Sequence, residues 1–221
     1  MGIRDEIKAG LSPVVDLVYP PRCLSCGVRV AKHGGLCIDC WSELEAGPEE
    51  ADGVLSATLY NDASRQLILN FKHGGKVSLA GLLGQMMAQR LPDALGPGAP
   101  ILVPVPLHRL RLWERGFNQA ALLARELAKR GKGELSVDAL IRQKRTPSLG
   151  GLGREARKEA LQGAIAVPAS RRALVRGRDV ILVDDVYTSG ATSAACVEAL
   201  IAAQAQSVRV VCFACVAQDR V

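Results

Sequence analysis

VILVDDVYTSGAT, running from Val180 to Thr192, is the stretch whose reading decides the fold. Val180 to Val183 form an unbroken aliphatic run with β-branched character, which is how a strand buried on both faces of a parallel sheet reads. Two carboxylates follow, Asp184 and Asp185, then the small and hydroxylated residues Thr188, Ser189, Gly190, Ala191 and Thr192. Ser193 to Ala203 is rich in Ala, with Glu and Leu, and reads as a helix. Strand, small-residue loop and helix together make an anion site: successive backbone N–H groups and the positive helix end converge on one phosphate, and Gly190 permits close approach. The acid pair suits vicinal hydroxyls, because an ionised carboxylate only accepts hydrogen bonds. A ligand carrying one phosphate and two free ribose hydroxyls satisfies both halves.

Two other readings compete. One is an ordinary strand end with a solvated acidic turn. The other is the acidic strand of an ATPase, which requires a G-x-x-x-x-G-K-[ST] partner, and the chain contains none. The motif instead resembles the phosphoribosyl-pyrophosphate signature of type I phosphoribosyltransferases. Tyr187 is bulkier than the residue the wider superfamily carries there, but it removes no phosphate-binding group.

Composition bounds the rest. A chain of 221 residues accommodates one good-sized domain plus a small appendage. The hydrophobic share of 48% and charged share of 23% are those of an ordinary globular protein. The net charge of +6 fits a polyphosphate substrate and permits nucleic-acid contact without requiring it. Aromatic residues make up only 4%, which argues against a base-stacking, single-strand platform. The N-terminus mixes both charges without a secretory pattern, and no apolar run has transmembrane length. The expectation is a cytoplasmic protein without membrane contact, whose seven cysteines are reduced or metal-bound.

Apolar residues from Ile3 to Val18 predict a short amphipathic helix. Cys23-x-x-Cys26 and Cys37-x-x-Cys40 follow, two knuckles separated by ten residues, so that four thiolates close on one tetrahedral zinc. A closed four-cysteine site is structural rather than catalytic. His33 between the pairs is read as an exposed loop residue. Glu43 to Gly53 reads as a linker, which divides the chain into a zinc-binding module, 1–50, and a second domain, 51–221. The second domain opens with a strand, 54–60, a helix, 63–72, ended by Phe71-Lys72-His73-Gly74-Gly75, and a helix over 79–91. The strand 101–107 is closed by prolines and leads into a basic loop, 108–119, that carries Arg109, Arg111 and Arg115. That places guanidinium groups at a strand's carboxyl end, where open α/β sheets bind ligands. Short strands are expected at 139–143 and 164–167. Between them, Lys144 to Lys158 is a basic, glycine-rich loop with the composition of a mobile lid or a plain linker. The last buried strand spans 208–216. Cys212 and Cys215, three residues apart along it, are expected on opposite faces, as core cysteines like Cys196.

Taken in order, the four-cysteine module, F-K-x-G-G, the P-V-P strand, R-G-F-N-Q, the T-P-S loop and V-D-D-V-Y-T-S-G-A-T resemble the ComF/GntX-like phosphoribosyltransferase-domain family, from about residue 17 onward. The resemblance implies an α/β fold with a parallel sheet flanked by helices. It implies phosphoribosyl pyrophosphate as ligand with Mg²⁺, and structural Zn²⁺ on Cys23, Cys26, Cys37 and Cys40. Asp184 and Asp185 hold the ribose, Thr188, Ser189, Gly190, Ala191 and Thr192 the 5-phosphate, and Arg109 and Arg115 face pyrophosphate. Candidates for catalysis are Arg115, Arg157 and Lys72, with the acceptor base unassigned. Family members are linked to natural competence, the uptake and processing of single-stranded DNA. The chain departs from the family pattern with Leu149 in place of a loop Gln, and it lacks the Asn that follows the loop arginine, matched to Arg157. Two functions therefore stand: a phosphoribosyltransferase of nucleotide metabolism, or a non-catalytic adaptor that contacts single-stranded DNA or DNA-processing proteins and uses the fold as a ligand sensor.

Overall fold

The aliphatic run at 180–183 lies in the middle of a five-stranded parallel sheet. A computed structural model describes residues 19–50, 53–73, 76–92, 98–144 and 161–217. The sheet contains β1 (Val54–Leu59), β2 (Ile101–Pro104), β3 (Glu134–Leu135), β6 (Asp179–Tyr187) and β7 (Ser207–Cys215), in the order β1-β7-β6-β2-β3. Two further short strands, β4 (Ile141–Arg142) and β5 (Ile165–Ala166), form a separate antiparallel pair. The described helices are α1 (Ile38–Ser42), α2 (Asp62–His73), α3 (Leu79–Ala88), α4 (Arg109–Arg115), α5 (Gln119–Lys129), α6 (Arg172–Val175) and α7 (Ala191–Ala202).

Alternation along β6 builds both faces of the core. Ile181 and Val183 join the cluster that contains Phe71 of α2, Leu83 and Met87 of α3, and Leu123 and Leu127 of α5. Val180 and Leu182 point the other way, into a cluster with Cys196 and Leu200 of α7. Both faces are covered, which is why the run is apolar without interruption rather than alternating.

Several sequence expectations are corrected here. β6 does not stop before the acids but continues through Asp184 and Asp185 to Tyr187, because β7 supplies backbone partners as far as the Tyr187–Cys215 pair. Its other neighbour, β2, ends at Pro104 opposite Val183. Proline offers no ladder N–H, so the edge of β6 beyond Val183 is released on that side. β2 thus ends where the acids of β6 begin. The basic stretch expected as a loop contains α4, a helix capped by His108 at its start and by left-handed Gly116 at its end. The predicted strand ending at 107 stops at Pro104, and α3 ends at Ala88 rather than residue 91. Cys212 and Cys215 are buried as expected but pack into the same cluster, not on opposite faces. Cys215 lies against Ser56 of β1, its sulfur 3.0 Å from the hydroxyl. The amphipathic helix expected over residues 3–18 lies outside the described residues, as does the basic loop over residues 145–158 with Leu149 and Arg157.

The cysteine module is joined to the sheet at several points. Ala46 bridges Thr58 in antiparallel fashion, Gly47 N–H donates to Ala57 O, and Leu59 N–H donates to Glu45 O. Gly47 lies so close to β1 that a Cβ there would strike Ser56. Leu24, Leu36 and Leu44 pack against the α2–α3–α5 face of the core. The stretch read as a linker from its Glu, Ala, Gly and Pro content therefore pairs with the free edge of β1, which a parallel sheet must cover.

Candidate functional site

The site is built at the carboxyl end of β6. Asp184 and Asp185 are consecutive on a strand, so they leave it toward opposite faces. Asp185 is 7% exposed and meets the ammonium of Lys72, at the end of α2, with 2.8 Å between Nζ and Oδ2. The Asp185 N–H donates to Asp184 Oδ1 at 2.8 Å. Asp184 is partly accessible as a residue, yet its carboxyl is crowded by protein. Burial, and after it the Asp185 charge, push it up to about 7 from an ordinary 3.8. The neighbouring backbone N–H and Lys72 oppose this without cancelling it.

This shift has consequences for both folding and binding. The native carboxyl keeps its proton up to about pH 7, whereas an unfolded aspartate releases it near 3.8, so the native state binds more protons in between. That contribution to stability is complete below the unfolded value and is lost as pH rises through the native one. Melting temperature is expected to carry a downward component between about pH 4 and 7 that Asp184→Asn removes. Ligand binding should run the other way. Hydroxyl groups are held best by the ionised acid, so affinity for a ribose-bearing ligand rises with pH through about 7, and Asp184→Asn flattens the profile in calorimetric titration.

Beyond Tyr187 the chain turns through Thr188, Ser189 and Gly190 into α7. Gly190 occupies the cap position at φ +72°, a left-handed conformation that L side chains avoid. A Cβ at this position would also collide with the Tyr187 ring, 2.8 Å from Cζ. Gly190→Ala should therefore lower the melting temperature and weaken anion binding, through a backbone cost of about 1–2 kcal/mol plus the clash. Gly190→Ala/Tyr187→Ala should recover only the part due to the clash, a split readable by calorimetry and thermal melts.

Arg109 and Arg115 flank α4, directly after β2. Arg115 reaches Gln119 at the start of α5, 3.3 Å away, and among the described residues neither arginine pairs with the acids. Arg109 lines a cavity of about 700 Å³ whose wall includes Leu107, Leu112, Leu140 and Arg142. Two hydrogen bonds link the cavity wall to β6 just before the acids: Asn118 Nδ2 donates to Val105 O, and Val105 N–H to Val183 O. Asn118 also caps α5 through its side-chain oxygen. Arg142, in β4, escaped the sequence reading. Its guanidinium is partly buried, and burial, then the Arg111 charge, holds it below its usual range. Nothing local in I-R-Q distinguishes it, since only the β4–β5 pairing brings it in. The structure thus unites Lys72 with Asp185, with the hydroxyl loop following on the chain, while Arg109 lines the cavity beyond β2 and Arg115 turns to Gln119.

The metal residues are gathered as their spacing requires. The four sulfurs of Cys23, Cys26, Cys37 and Cys40 lie within 4.8 Å of one another, with 3.6 Å between those of Cys26 and Cys37. Tetrahedral zinc with Zn–S near 2.3 Å demands sulfur separations of about 3.8 Å. Backbone N–H groups of Cys37 and Cys40 point at Cys23 Sγ and Cys37 Sγ, at 3.3 and 3.5 Å, as they do toward thiolate ligands. The donor set fits zinc. His33 is exposed and outside the group.

Comparison with known proteins agrees with both parts. Residues 14–51 match the double zinc ribbon domain, and residues 114–221 match the phosphoribosyl transferase domain. The chain is 32% identical over 203 residues to DNA utilization protein YhgH of Escherichia coli, covering 86% of this chain and 82% of that one. It is also 29% identical over 178 residues to Competence protein F of Haemophilus influenzae, covering 78% and 75%. It belongs to the ComF family. Competence protein ComFC of Bacillus subtilis is a further relative, 27% identical over 174 residues, with 77% of this chain and 67% of that one covered. In this ComF-family chain the acids, the hydroxyl loop and α4 all fall at the carboxyl end of the sheet, and the four cysteines fall within the zinc-ribbon match. No described helix is long and apolar enough to cross a membrane.

Proposed function

We propose that this ComF-family protein binds phosphoribosyl pyrophosphate with Mg²⁺ at the end of β6 and transfers the phosphoribosyl group to a nitrogen acceptor. The observation that carries the reading is the juxtaposition of two acids, one of them paired with Lys72, and a hydroxyl loop entering α7 through left-handed Gly190. Asp184 and Asp185 accept from the ribose hydroxyls, and Thr188 to Thr192 receive the 5-phosphate. Mg²⁺ bound together with the pyrophosphate would supply charge neutralisation there. Arg109 and Arg115 face the leaving pyrophosphate from α4. As the bond from C1 to pyrophosphate breaks, positive charge grows on the sugar, and the negative charge carried by the acid pair stabilises it without reorganisation. Lys72 holds the Asp185 carboxylate in place through their ion pair.

The test is calorimetric titration of phosphoribosyl pyrophosphate with Mg²⁺, followed by a screen of nitrogen bases for pyrophosphate release. Failure to bind at millimolar ligand sinks the reading.

A second reading, the DNA-contacting adaptor, is favoured by one feature. Trp113 on α4 is 85% exposed beside the exposed Arg109, and a bare indole next to a guanidinium is what stacks on an unpaired base. The names of the relatives place those proteins in competence and DNA utilisation. Binding of a single-stranded oligonucleotide that weakens steeply with salt, drops in Trp113→Ala and persists in Asp184→Asn/Asp185→Asn would support this reading. Oligonucleotide affinity untouched by Trp113→Ala would remove its basis.

A further inference from the structure

Three successive residues in the last turn of α2 touch three different things. Successive helical side chains are turned by about 100°, so Asn70, Phe71 and Lys72 fan across more than half the helix circumference. Phe71 is fully buried in the sheet-facing core, against Phe117 of the R-G-F-N-Q stretch, with 6.1 Å between ring centroids. Lys72 reaches Asp185. Asn70 turns to the zinc module, where its Nδ2 donates to Leu24 O and Ser25 O, both at 3.3 Å. Those two carbonyls lie between Cys23 and Cys26, inside the first knuckle. Lys76, just beyond the end of α2, donates to the same Leu24 O at 3.1 Å. The knuckle is itself held to the second one, since Leu24 N–H donates to Gly35 O and Cys37 N–H points at Cys23 Sγ.

We infer that Asn70 and Lys76 are positioning residues through which the first zinc knuckle sets Lys72 against Asp185, so that zinc and the ligand site are energetically coupled. The knuckle carbonyls are clamped from both sides of Lys72, by Asn70 before it and Lys76 after it. A helix end fixed by one buried ring can still rotate or fray about that ring. Hydrogen bonds to a metal-organised loop remove this freedom, and rigidity of the supporting shell is what keeps a charged group within reach of its partner. Zinc would then do more than fold its own module: loosening the knuckle frees the α2 terminus and lets the ammonium leave the acid. The ligand arm of this inference rests on the reading of the β6 end as a phosphoribosyl-pyrophosphate site, while the lysine arm does not.

Competitive trace acetylation of the zinc-loaded protein, read by mass spectrometry, tests it without any ligand. Lys72 should be protected relative to the exposed Lys129, and Asn70→Ala and Lys76→Met should each raise Lys72 labelling several-fold. Zinc content, the cooperative melt and Lys129 labelling should stay at wild-type values. Either variant alone decides the matter if the other fails to fold. Unchanged Lys72 labelling in a folded, zinc-loaded variant overturns the inference. In the second arm, saturating Mg²⁺-phosphoribosyl pyrophosphate should slow zinc transfer to a chelator in wild type, and both variants should lose that effect, because coupling between two ligands is reciprocal. Absence of ligand binding by wild type would fail the site reading and leave the labelling result to stand by itself. Binding without any effect on zinc release would overturn the coupling alone.

Discussion

Asp184→Asn/Asp185→Asn is expected to abolish the proposed binding of phosphoribosyl pyrophosphate with Mg²⁺ while the protein keeps its fold. Asn is close to Asp in volume, and burial already biases the Asp184 carboxyl toward its neutral form, so the β6 packing persists. What disappears is acceptor chemistry: two carboxylates each accept from a hydroxyl, and charged hydrogen bonds are worth about 1.5–3 kcal/mol apiece. Loss of both predicts a fall in affinity of at least about a hundred-fold at 1.4 kcal/mol per decade. The double substitution also strands the Lys72 ammonium, which now faces two neutral amides. Lys72→Met separates these contributions. It removes the cation while leaving both acids, and the Asp185 carboxylate then sits buried without its counter-charge. Calorimetry on all three proteins should show the double acid variant silent and Lys72→Met weakened. Wild-type affinity in the double variant would move the ribose elsewhere.

Cys37→Ser is expected to lose zinc and unfold the module around it. Cys37 carries the largest structural share of the four sulfurs: it lies 3.6 Å from Cys26 Sγ, sends its N–H to Cys23 Sγ and caps α1 through its own sulfur. Structural zinc sites of this kind are worth about 10–16 kcal/mol in apparent binding, far more than a short, loop-rich segment gains from its three packed leucines. The measurement is zinc stoichiometry by chromophoric chelator, paired with hydrogen exchange. Protection should be lost at the Gly47 and Leu59 amides, which pair the module with β1, as well as around the cysteines. The sequence alone suggests that the second domain would keep its ligand preference in such a variant. The Asn70 and Lys76 contacts to Leu24 instead lead us to expect weaker binding at the β6 end. Retained zinc in Cys37→Ser would mean three sulfurs and a substitute ligand suffice.

The local patterns were legible without coordinates because their physics is local. An aliphatic run followed by acids and a Gly-containing hydroxyl loop encodes a buried strand, its end and a helix start within thirteen residues, and φ +72° at Gly190 is what that Gly is for. Two C-x-x-C pairs encode their own geometry in the same way. The α4 helix could have been found from its Gly116 stop, but a seven-residue helix flanked by polar and basic side chains leaves almost no apolar period to detect. The reach of β6 through its acids was not legible, because it depends on β7 continuing beside it while β2 is cut short by Pro104. The same holds for the site's main electrostatic contact. Lys72 stands out as a basic residue near a helix end, but nothing near it in sequence names Asp185 as its partner. That pairing exists only because Phe71 anchors α2 on the sheet with the neighbouring side chain turned toward β6. Spacing determined which groups this chain carries and in what local shape. Packing of α2 between the sheet and the zinc knuckle decided which of them meet, since contacts between residues distant in sequence follow from burial of a shared core and leave no periodic trace in the chain.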